Sequence, residues 1–248
     1  MSSHKVEIIF GFHAVESVLN NDPANILQLL VERNRHDKRL QAIIARAESQ
    51  GIAIDYLKAA DLEKQCQSRK TQGVALRYKG VAGQSEKDLD ALLEKDDVFL
   101  LILDGVQDPH NLGACLRSAD AAGVDAVIAP KDRAVGITST VRKVACGAAE
   151  SVPFIQVTNL ARSMKQMQQA GVWIVGTAGE ADALIYDVAL TGKLGLVMGA
   201  EEKGMRRLTR EHCDHLVKLP MAGQVESLNV SVATGVCLFE AVRQRRAS

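Results

Sequence analysis

Apolar positions along the chain fall into two successive alternations of short β-type runs and amphipathic helical stretches. The first predicts strands over 6–10, 26–32, 52–57 and 73–78, with helices over 11–19, 37–49 and 60–65 between them. Asp37 stands where a helix N-cap belongs, and Gly51 where the chain must leave that helix. The result is a small α/β unit with enough apolar positions for its own core. The second alternation starts at Val98 and is stronger. Residues 98–103 are apolar without a break, as expected of a strand covered on both faces. Further strands are predicted over 126–129, 152–157, 172–177, 194–199 and 215–219, and helices over 111–122, 139–149, 160–169, 208–213 and 228–244. Repeated strand–helix units make this an α/β domain on a mostly parallel sheet. Ligands of such sheets sit beyond the carboxyl ends of the strands.

Between the two lies a stretch mixing Gly, Ser and charge, with a short helix over 89–93. The expected division is therefore 1–79, a linker over 80–96, and 97–248. Formal net charge over the 248 residues is zero, but the total conceals structure. Residues 1–80 carry 12 basic and 9 acidic side chains, 81–97 carry 2 and 6, and 98–248 carry 16 and 15. An acidic spacer thus masks two mildly basic ends. Arg33, Arg35 and Arg39 cluster where a strand gives way to a helix. That is either a solvated helix start or a patch that meets phosphates. Five scattered cysteines, with no CxxC and no Cys/His ligand spacing, fit a reducing cytoplasm and give no zinc or other metal site. No apolar run is long enough to span a membrane.

Three polar clusters follow strands of the second domain. The first runs from Asp104 through Asn111-Leu-Gly-Ala-Cys-Leu-Arg117 to Ala119, with an amide early in a helix and a guanidinium nearly two turns on. Spacing alone fits a cap plus a surface arginine as well as a grip on a sugar–phosphate unit. His110 is better explained as a helix-start residue than as a base. The second cluster, Met198-Gly-Ala-Glu201-Glu-Lys-Gly204, brackets carboxylates with glycines. It is neither a phosphate-binding P-loop nor a dinucleotide fingerprint. The third runs from Pro220 through Ser227, Asn229 and Ser231 into the last helix, with Ser227 as the predicted N-cap. Capping accounts for one hydroxyl there but not for the whole polar cluster.

In this order and spacing the clusters resemble the three motifs of the SpoU-type (TrmH-like) RNA ribose 2′-O-methyltransferases of the SPOUT class. The likeness extends through 143–153, Thr177-Ala-Gly-Glu180 and 11–15, and so covers essentially the whole chain. It is strongest toward the bacterial enzymes that methylate a guanosine of 23S rRNA in the P-loop of the peptidyl-transferase centre. A tRNA ribose methyltransferase and a non-catalytic RNA-binding or ribosome-assembly factor on the same fold are the alternatives. The chain departs from those relatives at Thr71-Gln72-Gly73, where they carry His-Gln-Gly, and at Gln224 and Glu226, where they carry smaller residues.

The resemblance implies a trefoil-knotted carboxyl-terminal domain, a small amino-terminal α/β domain that binds RNA, and a homodimer with the site near its interface. It implies S-adenosylmethionine as methyl donor, with Gly199, Leu219 and Leu228 lining its pocket and Thr177 and Gly179 nearby. It also assigns catalysis to Asn111, Arg117, Glu201, Ser227 and Asn229. Arg117 is expected to hold the target phosphate and the developing oxyanion rather than to act as a base, because a guanidinium does not readily lose its proton. Glu201 would orient Arg117 or Asn111, Asn111 and Asn229 would fix the loop and the ribose, and Ser227 is one candidate for relaying the proton.

Overall fold

The computed structural model describes residues 6–35, 37–79, 86–200 and 204–247. The chain packs as two compact units. One gathers the described residues up to 79 together with Ile137–Ser151, and the other gathers 86–136 and the residues from Val152 onward.

The first unit runs β1 (Val6–Phe10), α1 (Phe12–Asn21), β2 (Ile26–Glu32), α2 (Lys38–Ser49), β3 (Ile54–Leu57), α3 (Ala59–Cys66) and β4 (Val74–Lys79). Its sheet has the order β1-β4-β2-β3, antiparallel except between β2 and β3. Strand alternation divides the apolar side chains between two faces. On one, Leu29, Val31 and Leu76 meet Val15 and Leu19 of α1 and Leu40 and Ile43 of α2. On the other, Leu30 and Ala75 meet Leu62 and Cys66 of α3. Asp37 caps α2 as its position predicts, its carboxylate accepting from the Leu40 N–H at 3.0 Å.

The second unit begins with α4 (Glu86–Leu93), β5 (Phe99–Asp104), α5 (Pro109–Ala122) and β6 (Ala126–Pro130). The stretch read as a linker therefore contains α4, whose Leu89 and Leu93 are buried in the core of this unit. After β6 the chain enters the first unit as α6 (Ser139–Ala145) and α7 (Ala148–Ser151). A single helix over 139–149 was expected. It breaks because Cys146 and Gly147 both take positive φ, 52° and 104°. A Cβ on Gly147 would lie 2.8 Å from Ser17 Oγ, so only glycine permits the approach to α1. Arg142 of α6 then donates to Glu150 of α7 at 2.5 Å and to Glu7 of β1 at 3.1 Å.

The second unit resumes with β7 (Phe154–Val157), α8 (Leu160–Gln169), β8 (Trp173–Thr177), β9 (Ala183–Leu184), β10 (Leu194–Gly199), α9 (Arg207–Glu211), β11 (His215–Lys218) and α10 (Val230–Ala247). Its seven strands lie in the order β7-β6-β5-β10-β8-β11-β9, and every pairing is parallel. Strand β5 is buried along its whole length, as its unbroken apolar run predicts. The last two long strands are added on either side of β8, which brings the chain ends of β5, β8, β10 and β11 to one edge.

One predicted cap is corrected. Helix α10 starts at Val230, not at 228, and its cap is Asn229 rather than Ser227. The Asn229 carbonyl accepts the first helical bond from Ala233 at 2.9 Å, and its side-chain oxygen accepts from the Ser231 N–H at 2.9 Å. Ser227 is left in the preceding loop. Among the described residues no helix is long and apolar enough to cross a membrane.

Candidate active site

Three loops leave the carboxyl ends of neighbouring strands and meet in one pocket of about 170 Å³. Thr177 and Gly179 come from the end of β8, Gly199 and Gly204 from the loop after β10, and Leu219, Ser227 and Leu228 from the stretch between β11 and α10. All five residues expected to hold a cofactor (Thr177, Gly179, Gly199, Leu219 and Leu228) are in that wall. The register explains the convergence. Gly199 pairs with Asp104 and Val217 with Thr177, so these strands end level with one another.

The loop after β10 is shaped by two non-negotiable contacts. Ala200 and Gly204 exchange backbone hydrogen bonds of 3.1 and 2.9 Å, which sets Gly204 close against the end of β10. A Cβ on Gly199 would then lie 2.3 Å from the Gly204 carbonyl carbon and 2.4 Å from the Met205 nitrogen, so only glycine fits. The second anchor is Asp104, buried at the end of β5. Its carboxylate accepts from the Arg206 backbone N–H at 2.7 Å and from Arg206 Nε at 2.6 Å. The sequence places Asp104 at the head of the first polar cluster but assigns it no role, and it does not single out Arg206. The available signal was a carboxylate closing an otherwise apolar strand, a position where an unpaired charge is costly.

Beside the pocket, Asn229 Nδ2 donates to Asn111 Oδ1 at 3.1 Å, joining the start of α10 to the first turn of α5. Asn229 Oδ1 also accepts from Ser231 Oγ at 2.6 Å, which fixes the orientation of the amide. The two helices are locked together behind this pair, where buried Cys115 and Thr234 lie 3.5 Å apart. Helix α5 is capped by Asp108, which accepts from the His110 N–H at 2.8 Å; His110 is a helix-start residue, as expected.

The structure thus joins Asn111 to Asn229 and puts Ser227 in the pocket wall. Arg117 lies on the exposed face of α5, outside that wall. Glu201 lies outside the described residues. Of the three arginines expected to meet RNA, Arg33 donates to the Tyr56 carbonyl at 3.2 Å. Arg35 pairs with Asp37 at 2.8 Å, and Arg39 makes two bonds to Glu16 at 2.9 and 2.7 Å. These hydrogen bonds hold the Asp37 and Glu16 carboxyls below their ordinary values. Two of the three cations are therefore partly neutralised in place.

The profile of the SpoU rRNA Methylase family matches residues 98–239, more than half of the chain. The chain belongs to the SpoU rRNA methylase family. A second profile, described as RNA 2′-O ribose methyltransferase substrate binding, matches residues 8–82 of this SpoU protein. Among its relatives is the 23S rRNA (guanosine-2′-O-)-methyltransferase RlmB of Pectobacterium atrosepticum, 58% identical over 96% of this chain and 98% of that protein. The RlmB of Shewanella oneidensis is 58% identical over 98% and 99%. Among solved structures, the SpoU methyltransferase AviRb of Streptomyces viridochromogenes, in complex with AdoMet, superposes with a TM-score of 0.83 at 23% identity, covering 98% of this chain and 92% of that one. The SpoU fold, with its SPOUT-class methyltransferase sheet, is thereby established for this chain.

Proposed function

We propose that the protein transfers a methyl group from S-adenosylmethionine to the ribose 2′-hydroxyl of a guanosine in 23S rRNA, in the P-loop of the peptidyl-transferase centre. The observation that carries this is the convergence of three strand-end loops on a glycine-lined pocket directly beside the Asn111–Asn229 pair. The relatives that share more than half of its residues across nearly its whole length carry that activity in their names.

The lining of the pocket suits the adenosine end of the cofactor. Gly179, Gly199 and Gly204 bring bare backbone to its surface, suited to a flat heterocycle, while Leu219 and Leu228 supply apolar walls. When bound, S-adenosylmethionine supplies an electrophilic methyl on a cationic sulfur. The protein's task is then to position a hydroxyl and to keep water out, because charge is annihilated in the transfer and a drier site favours it. Asn111 and Asn229 hold the ribose, and Arg117 on the outer face of α5 meets the adjoining phosphate and steadies the oxygen as it loses its proton. Ser227, in the pocket wall, is placed to accept or relay that proton.

The working form is a homodimer in the cytoplasm. Val232, Val236 and Phe239 form an exposed apolar stripe along α10, at spacings of four and three residues, and Val225 and Leu228 extend it toward the pocket. Leu228 belongs to both the stripe and the pocket, which supports a site beside the interface. Sedimentation of the wild type and of Phe239→Lys tests the dimer, with a monomeric variant expected. Transfer of radiolabelled methyl to a 23S rRNA transcript, and not to bulk tRNA, tests the activity. Transfer to tRNA alone would replace the target, and no transfer with intact cofactor binding would make the protein an assembly factor.

A further inference from the structure

A cavity of about 590 Å³ lies wholly within the first unit, far larger than the pocket at the strand ends. Its walls come from the β1–α1 junction, the loop ahead of β4, and the break between α6 and α7. We propose that this cavity is a nucleotide subsite for single-stranded RNA, taking one base while Arg69, Lys70 and Lys143 hold its flanking phosphates. The inference rests on the reading of the chain as an RNA methyltransferase and deepens it, since it says where the substrate's backbone is gripped.

Charge is the first argument. Arg69, Lys70 and Lys143 all line the cavity and are all exposed. Among the described residues, no ion pair engages any of the three, and no hydrogen bond takes their side-chain nitrogens. Arg35 lines the same cavity but is held by Asp37 at 2.8 Å and Glu32 at 3.6 Å. Glu32 and Glu63 are the carboxylates in the wall, and His13 is its remaining titratable base. With Glu32 occupied by Arg35, the uncommitted cations outnumber the uncommitted carboxylate. Phosphate contacts of this kind set position and salt dependence rather than sequence.

The floor is the second argument. Gln72 accepts from the Phe12 backbone N–H through its side-chain oxygen at 2.9 Å, which fixes the carboxamide. Among the described residues no bond takes its amide nitrogen, a donor suited to the edge of a base. Gln72 holds this place with φ at 56°, and Cys146 across the cavity with φ at 52°, both in the left-handed region that non-glycine residues seldom adopt. Gly73 follows with φ at 75°, and a Cβ there would lie 2.5 Å from Arg35 Cδ and 2.8 Å from Glu32 Oε2. The bare backbone at Gly73 is thus what lets the Arg35–Glu32 pair close the cavity beneath it. Phe10 and Ala14 add apolar surface for a base face. The volume falls within the roughly 300–1,000 Å³ typical of sites that enclose organic ligands. Lys143 lies outside the 8–82 match, so the subsite draws on a residue beyond the substrate-binding profile.

The test uses the full chain, with Arg69, Lys70 and Lys143 each changed to Gln, and a fluorescent 23S rRNA fragment containing the P-loop hairpin. Anisotropy across a salt series should show about a tenfold or greater rise in Kd and a salt slope shallower by roughly 2, given about 0.7 per single-strand phosphate contact. Affinity for S-adenosylmethionine and the rate at saturating RNA should stay within about twofold of the wild type. Independently, RNA should slow alkylation of wild-type Cys146, the exposed thiol among five, of which three are buried and Cys213 is half-buried. Unchanged affinity and slope in the triple variant, or Cys146 alkylation that RNA does not slow, would overturn the subsite. Methyl transfer by the wild type on the same fragment tests the underlying reading separately. A wild type that transfers methyl while the triple variant binds normally sinks the cavity alone. A wild type that binds with Cys146 protected but transfers nothing sinks the methyltransferase and keeps the subsite.

Discussion

Replacing Gly199 with alanine adds one methyl group at the end of β10, where the pocket wall begins. The new Cβ would sit 2.3 Å from the Gly204 carbonyl carbon and 2.4 Å from the Met205 nitrogen, against a practical lower limit of 3.0 Å. The loop must therefore retreat by at least 0.7 Å, the difference between 3.0 and 2.3 Å. Both obstructing atoms are backbone, so no rotamer change relieves the clash. The retreat opens the mutual bonds between Ala200 and Gly204, now 3.1 and 2.9 Å, and moves the pocket wall with them. Overpacking of this sort costs about 1–3 kcal/mol. Because binding needs the loop returned to its native place, that cost falls on the cofactor: S-adenosylmethionine affinity should drop roughly 5- to 150-fold, at 1.4 kcal/mol per factor of ten. Isothermal titration measures it, with melting temperature recorded alongside. Gly223→Ala is the control, since it stands in the neighbouring loop outside the pocket wall and its Cβ would meet nothing within 4 Å. That variant should bind within about threefold of the wild type, well under 1 kcal/mol. If Gly199→Ala also binds within that margin, the loop does not form the cofactor wall.

Three further outcomes follow from other parts of the structure. Asp104→Asn weakens the buried anchor for Arg206 and should cost about 2 kcal/mol, lowering the melting temperature by roughly 4–8 °C and loosening cofactor binding; an unchanged melt would deny Asp104 its anchoring role. Arg117→Ala should cut turnover on 23S rRNA by about a hundredfold or more, as loss of a positioned charge does at other oxyanion sites, while titration with S-adenosylmethionine stays normal. Near-normal turnover at saturating RNA would remove Arg117 from the chemistry. Glu240, mostly buried on α10, accepts from Arg243 at 2.9 and 2.8 Å, which holds its carboxyl below the ordinary 4.5. The stability it contributes is present above pH 4.5 and is lost as pH falls through the lower folded value. Melting curves taken from neutral to acid should therefore fall less steeply for Glu240→Gln than for the wild type, and parallel curves would count against the assignment.

What could be read from the sequence was what neighbouring residues decide among themselves. The apolar run of β5, the complete spans of α8 and β10, and the Asp37 cap all follow from local pattern. The three site loops were legible because their polar clusters stand after strands and in a recognisable order. The misreadings share a cause in long-range contact. The break between α6 and α7 depends on Gly147 meeting Ser17, 130 residues earlier in the chain. The Asp104–Arg206 anchor spans 102 residues, and locally it shows only as a carboxylate closing an apolar strand. Ser227 and Asn229 are both competent caps two positions apart, and tertiary placement beside Asn111 decided between them. Strand β9 has two residues, too few for any periodicity. The charges on Arg35 and Arg39 were visible, as was Asp37 two residues beyond Arg35, but not Glu16, 23 residues earlier, which pairs with Arg39.

Methylation of a guanosine ribose in the P-loop of 23S rRNA by this SpoU protein, as proposed, can be tested in cells. Mapping ribose methylation across total RNA from cells lacking the protein, with and without the wild-type gene restored, addresses it most directly. One 2′-O-methyl mark should disappear from the P-loop guanosine and return on restoration, while tRNA is unaffected. Retention of that mark, or loss confined to tRNA, would contradict it.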